Sequence, residues 1–259
     1  MTSPYLKDLY AHRHTFRYLV RLQLILRYQR TVLGFAWTLL NPLVTMTIAA
    51  IVFSMILRIE LRSYAVFLLS GTIPWLFFST ALLQSVGAFI NNEGLIKKVY
   101  IPKLIFPGSV AASALIDSLL AAVALLLILV VIGGKIGAQL LVLPFAFLLL
   151  FPFVLAMGLI ASVATVYFRD LQYIVNHILQ LVYFLTPVLY PLDMIPPKFH
   201  ALYALNPMVH YIELFRAPIY RGVMPGGEVL LITAMIGFGS LLVALAVFRR
   251  FENQLVFRL

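Results

Sequence analysis

The sequence predicts an all-α membrane protein. Six transmembrane helices are expected, preceded by an amphipathic helix lying on the membrane surface, with short re-entrant helices before the last span. Three observations carry this. First, 63% of the 259 residues are hydrophobic and 11% are charged, with a mean hydropathy of +1.03; a soluble domain of this size does not have that composition. Second, several apolar stretches reach the roughly 20 residues needed to cross hydrocarbon. Third, basic residues collect on one side of those stretches.

Residues 4–30 hold Lys7, Arg13, Arg17, Arg21, Arg27 and Arg30. Arg13, Arg17 and Arg21 recur every fourth position and share a helical face, with Tyr18, Leu19, Leu22, Ile25 and Leu26 roughly opposite. This is the pattern of an interfacial helix. The first 31 residues have no short apolar core ending in a small-residue cleavage site, so no signal peptide is expected.

The spans follow at about Val32–Leu57, Tyr64–Ile90, Phe106–Ile132, Leu140–Tyr167, Leu171–Leu189 and Val229–Phe248. Pro42, Pro74, Pro144 and Pro152 start or kink helices, which neighbouring helices tolerate. With both termini inside, thirteen of the 19 Lys and Arg residues fall on cytoplasmic segments and six on outer ones. Basic residues orient a membrane protein in this sense. The same distribution explains the net charge of +10 through lipid headgroups rather than nucleic acid. The segment from Tyr190 to Glu228 carries Pro191, Pro196, Pro197, Pro207, Pro218 and Pro225. Between them, Phe199–Leu205 and Met208–Phe215 read as short helices, either dipping back into the outer leaflet or capping the membrane surface. The chain is expected to be a single transmembrane domain over residues 1–259.

Two polar stripes lie within the spans. Gln172, Asn176 and Gln180 stack at intervals of four, with Tyr183 and Phe184 continuing their face; Trp37, Asn41 and Thr45 form a matching stripe on the first span. Amides and aromatic rings together handle sugars, through hydroxyls and C–H faces respectively. Interhelical hydrogen bonding is the other reading of the same pattern. Asp117 is the one ionisable residue deep in a span. It reads either as a functional group or as a partner for a loop cation. Residues 91–105 read as a short helix outside the membrane, or as a basic loop on lipid headgroups.

Catalytic chemistry finds little support, on several grounds. The chain has no cysteine, which removes thiolate metal sites and cysteine nucleophiles. No phosphate-binding glycine loop occurs, since Gly133-Gly134-Lys135 lacks its remainder. No H-E-x-x-H and no carboxylate pair suited to glycosyl chemistry occurs, and the five histidines are scattered. A membrane-embedded enzyme acting on lipid-linked sugars would need such pairs. A proton-coupled carrier would need an ionisable residue within a span, where Asp117 stands alone; this carrier or a passive channel is the other competing reading, and co-purification of a separate ATPase would settle against both.

Three motifs bring a family into view. Residues 27–42 (RYQRTVLGFAWTLLNP) enter the first span. Residues 92–103 (NEGLIKKVYIPK), running on to Asp117, join spans two and three. Leu205-Asn206-Pro207 with Glu213, Arg216 and Gly222 precedes the last span. In order and spacing the chain resembles the membrane permease subunits of ATP-binding-cassette exporters of bacterial polysaccharides, the O-antigen, capsule and teichoic acid group. The resemblance implies a homodimer in the bacterial inner membrane with two copies of a separate nucleotide-binding ATPase. That partner would bind ATP and Mg, and this chain would hold no cofactor. The substrate would be an undecaprenyl-linked polysaccharide, most simply an O-antigen. Asn92, Glu93, Gly94, Leu95, Ile96, Lys97 and Lys98 would couple to the ATPase. Residues 190–228 would form periplasmic gate helices, with Tyr203, Tyr211, Glu213, Phe215 and Arg216 as the outer gate. Glu213 and Arg216, three apart, are expected to pair on one helix face.

Overall fold

The structure, a computed structural model, describes residues 4–29, 34, 36–133 and 137–259. The expected start of span one at Val32, together with Arg30 and Lys135, lies outside the described residues.

The amphipathic segment forms two helices, α1 (Pro4–Ala11) and α2 (Arg13–Tyr28), broken at His12. Arg13, Arg17 and Arg21 are exposed, whereas Leu19 and Val20 are buried. The charge periodicity therefore does set which face of α2 meets the protein.

Among the described residues, five helices are long and apolar enough to cross a bilayer. They are α3 (Ala36–Leu57), α4 (Leu61–Val86), α6 (Ile105–Ile132), α7 (Leu143–Tyr167) and α11 (Gly227–Arg258), with the short α5 (Glu93–Lys98) between α4 and α6. Their burial differs sharply. In the apolar window of α4, 72% of residues are buried, against 17% for α3 and 17% for α11. So α4 is the central helix, while α3 and α11 leave most of their surface for lipid or another chain.

Close helix approach depends on two glycines. A Cβ on Gly158 of α7 would come within 2.6 Å of the Ser85 hydroxyl of α4. One on Gly237 of α11 would lie 3.0 Å from the Leu149 carbonyl oxygen of α7. Small residues at such crossings let backbones pack closely where apolar surface gains little by leaving lipid. Around α4 the core is aromatic: Phe78 stacks on Phe153, Phe153 on Tyr211, and Phe147 meets Phe215 edge-on at 5.0 Å.

Two expectations about span length are corrected. The fifth span ends early: α8 runs Leu171–Leu185, only 15 residues, or about 22 Å at 1.5 Å per residue. The cause is Pro187. A residue before proline avoids the α region, and Thr186 is extended at φ −102, ψ 135. A sixth crossing would thus combine α8 with the chain that follows it. The last helix, in contrast, runs ten residues beyond Phe248 to Arg258. No glycine or proline follows Gly239, so nothing breaks it at the end of the apolar run.

The proline-rich segment forms α9 (His200–Ala204) and α10 (Pro207–Arg216), then a π-helical turn at Ala217–Arg221. Asn206 starts α10 by accepting a 3.0 Å hydrogen bond from the Met208 amide, and Pro207 occupies the first turn, where its missing N–H costs nothing.

Candidate functional site

The two polar stripes occupy exposed faces of the single chain. On α8, Val175 and Leu179 are buried against the core, while Gln172, Asn176 and Gln180 point away from it. Phe184 is exposed with them, but Tyr183 turns inward and packs 5.3 Å from Trp75. On α3, Trp37, Asn41 and Thr45 are exposed, and Thr45 donates a 2.9 Å hydrogen bond to the Asn41 carbonyl. Asn41, Thr45 and Tyr183 meet at one cavity of about 160 Å³, with Thr72 of α4 and Leu189 completing it. Trp37, Asn176, Gln180 and Phe184 stay outside that cavity, and Gln172 belongs to another, larger one at the far end of α8.

The segment expected to couple forms α5, entered by a 3₁₀ turn over Ile90–Asn92. Lys97 donates to Glu93 at 2.6 Å, and this bond and charge hold the Glu93 carboxyl below its ordinary range. Gly94 and Leu95 face outward, Lys97 and Lys98 are exposed, and Asn92 donates to the Ala88 carbonyl at 2.8 Å. Ile96 instead packs inward against the core around Leu19, Phe89 and Phe106. The exposed apolar surface here is Leu95 with Val99 and Tyr100. Val99 and Tyr100 lie inside the expected 91–105 coupling segment but outside the residues named for the contact, because the sequence does not show whether such an apolar pair is exposed or buried. Tyr100 also donates a 3.0 Å hydrogen bond to Asp8 of α1, which pushes its own hydroxyl pKa up.

Asp117 is paired with Arg27. The cation comes from the amphipathic helix α2 rather than from a loop. Arg27 also donates to Gln84 of α4. Four residues earlier on α2, Gln23 donates to Ser109 at 3.1 Å and accepts from Ser113 at 3.0 Å, both on α6. One face of α2 is thereby bonded to two spans. Sequence reading missed Gln23 and Gln84, although Gln23 and Arg27 share a face through their spacing of four.

At the opposite end, Tyr211 and Phe215 are fully buried, and the Tyr211 hydroxyl donates to the Thr233 carbonyl of α11 at 2.9 Å. Within the chain they anchor α10 to the core. The expected Glu213–Arg216 pair does not form. Glu213 pairs with Arg221, which the π-helical turn carries back over it. Arg216 donates to the Pro187 carbonyl at 2.9 Å and lies 3.9 Å over the Phe67 ring, where burial favours a delocalised cation on an aromatic face. The turn between α8 and α9 is tied at three further points. Asn206 donates to Thr186 at 2.8 Å, Tyr64 donates to the Leu189 carbonyl, and the Tyr190 and Tyr203 hydroxyls are 3.1 Å apart. The apolar surface left free in this segment includes Met194, Phe199, Leu202, Leu205, Val223 and Met224.

Comparison with known proteins places this arrangement. The ABC-2 type transporter family matches residues 14–220. The chain is 32% identical over 244 residues to the O-antigen export system permease protein RfbA of Myxococcus xanthus, covering 93% of this chain and 94% of that one. It is 30% identical over 229 residues to the protein of the same name from Klebsiella pneumoniae, covering 88% of each. The polysialic acid transport protein KpsM of Escherichia coli is 30% identical over 236 residues, covering 89% of this chain and 90% of that protein.

Proposed function

Since the chain belongs to the ABC-2 type transporter family, we propose that it is the membrane subunit of an ATP-driven exporter of lipid-linked polysaccharide, most simply an O-antigen. The observation that carries this is near-full-length similarity to permeases named for O-antigen export. A capsule-type polymer is the second reading, supported by similarity to a polysialic acid transport protein.

In this reading the chain acts as a homodimer in the bacterial inner membrane, with both termini cytoplasmic. It holds no cofactor. ATP and Mg bind to two copies of a separate ATPase. Residues 1–31 form the interface segment, 91–105 the coupling segment and 190–228 the outer gate region of one transmembrane domain. The exposed amide faces of α3 and α8 turn toward a path shared with the second copy, where Trp37, Asn41, Gln172, Asn176 and Gln180 meet sugar hydroxyls and rings. The largely exposed surface of α3 favours this, because amides facing lipid would be costly. Leu95 and Val99, exposed on and just after α5, form the apolar part of the ATPase contact. A wide path must also be sealed at rest. Leu202 and Leu205, exposed in the α9 region, close it by dewetting, while the buried Tyr211 and Phe215 anchor α10.

The test is genetic and biochemical together. Deleting the gene should leave lipid-linked polymer inside the membrane, and the tagged protein should co-purify with an ATPase. Surface polymer at parental levels in the deletion strain would overturn the proposal.

A further inference from the structure

At the basic end of the molecule, α11 continues past its apolar run. Val229–Phe248 is 20 residues, about 30 Å of helix, which fills the hydrocarbon. The helix then goes on unbroken to Arg258. One face of this extension is built into the protein. Leu255 is fully buried, and Phe251 meets Tyr167 of α7 edge-on at 5.5 Å. Gln254 accepts a 3.0 Å hydrogen bond from the Tyr167 hydroxyl, and the Arg258 guanidinium lies 4.6 Å over the Tyr167 ring. The other face is bare. Arg249, Arg250, Asn253 and Phe257 share it by helical spacing; all are exposed, Phe257 to 91%. We propose that this face is a second docking contact for the ATPase subunit, with Phe257 as its apolar anchor and Arg249 and Arg250 as its charged rim.

Height separates this face from a lipid anchor. Phe257 stands nine residues beyond Phe248, about 13 Å further along the axis. The headgroup layer is only about 5–8 Å deep on each side, and a tilt of about 20° shortens the reach by roughly 1 Å. The ring therefore clears the headgroups, and lipid cannot cover it. It is displayed on a helix whose opposite face is held against α7, so docking has little left to order. Position then names the partner. Phe251 and Leu255 of the extension, Ile96 of α5 and Leu9 of α1 belong to one apolar cluster. The Tyr100 hydroxyl, pushed up first by its bond to Asp8, also feels the Glu252 carboxylate of the extension. Phe257 lies five residues further out than Glu252. A subunit that reaches Leu95, Val99 and Tyr100 therefore meets Phe257 at its flank. Arg249 and Arg250 form no ion pair among the described residues, which suits a partner pocket edged by carboxylates. An aromatic anchor surrounded by groups that exclude water is the usual form of an interface hot spot.

This inference rests on the exporter reading, and its test separates the two. The full-length protein in nanodiscs is titrated with the nucleotide-binding subunit that co-purifies with it. Phe257→Ala should raise Kd about tenfold, as for an interface anchor; the ring is exposed, so the variant stays folded. Arg249→Ala with Arg250→Ala should flatten the salt dependence of the association rate. The chain has no cysteine, so a nitroxide on Asn253→Cys reports what covers the face. Alone, it should be mobile and more accessible to a water-soluble nickel chelate than to oxygen, and the ATPase should immobilise it. Unchanged affinity and salt dependence in these variants, with the parent protein binding, overturn the contact and leave the exporter reading standing. Greater access to oxygen puts the face in lipid and overturns the contact. A label immobile before the ATPase is added shows that a second copy of this chain covers the face, and overturns it too. A parent protein that binds no ATPase overturns the exporter reading and this contact with it.

Discussion

The two ends of the molecule are held by different chemistry. At the basic end, side chains bond to side chains: Arg27 to Asp117 and Gln84, and Gln23 to Ser109 and Ser113. At the proline-rich end, side chains bond mainly to the backbone and flank of one turn: Arg216 to the Pro187 carbonyl, Tyr64 to the Leu189 carbonyl, and Asn206 to Thr186. The difference follows from what each end must satisfy. The basic end seats an intact amphipathic helix whose own backbone bonds are made, so only its polar side chains need partners. The proline-rich end breaks a helix inside or beside the membrane. Breaking it frees carbonyls that no water can reach, and each must be given a donor. The first end can therefore be loosened by removing a charge and the second by removing a donor.

The largest effect should come from Asp117→Leu. It leaves the Arg27 cation without its partner in a mostly buried position, which costs about 3–5 kcal/mol. Unfolding in mixed micelles should show that loss, and the double variant with Arg27→Leu should recover much of it. Equal losses in the single and double variants would mean that the pair contributes by packing rather than charge.

A smaller loss is expected from Arg216→Met at the other end. It orphans the Pro187 carbonyl and removes the cation over Phe67, for about 2–3 kcal/mol. Amide exchange at Val188–Tyr190 should accelerate while exchange at Gln23 and Arg27 stays unchanged. Acceleration at both ends would show that the two are not independent.

Asn206→Ala should cost about 1 kcal/mol through the lost cap, with its exchange signature confined to the first turn of α10 and the turn after α8. A uniform effect along α10 and α11 would instead assign Asn206 to the core.

The smallest change in stability, within about 0.5 kcal/mol, is expected for Leu95→Glu with Val99→Glu, since both side chains are exposed. Co-purification of the ATPase should fall all the same. Retained co-purification by a folded double variant would place the contact elsewhere. Ile96→Glu sharpens the point: it should unfold the basic end, because Ile96 packs inward.

Much of the fold could be read along the chain because its determinants are local. Apolar windows of bilayer length mark α3, α4, α6, α7 and α11. The spacing of Arg13, Arg17 and Arg21 determines the exposed face of α2, and Asn206-Pro207 marks the start of α10. The alternation of Val175 and Leu179 with Gln172, Asn176 and Gln180 likewise sorts the faces of α8. Tertiary structure decided what depends on residues far apart. Arg27 and Asp117 are 90 positions apart, and only the seating of α2 on α6 makes them partners. Glu213 chose Arg221 over Arg216 because a π-helical turn redirected one and burial against Phe67 claimed the other. Helical periodicity specifies which side chains share a face, since that follows from 3.6 residues per turn. It carries no information on which other helix that face will meet, because the meeting is settled by the packing of all the helices at once.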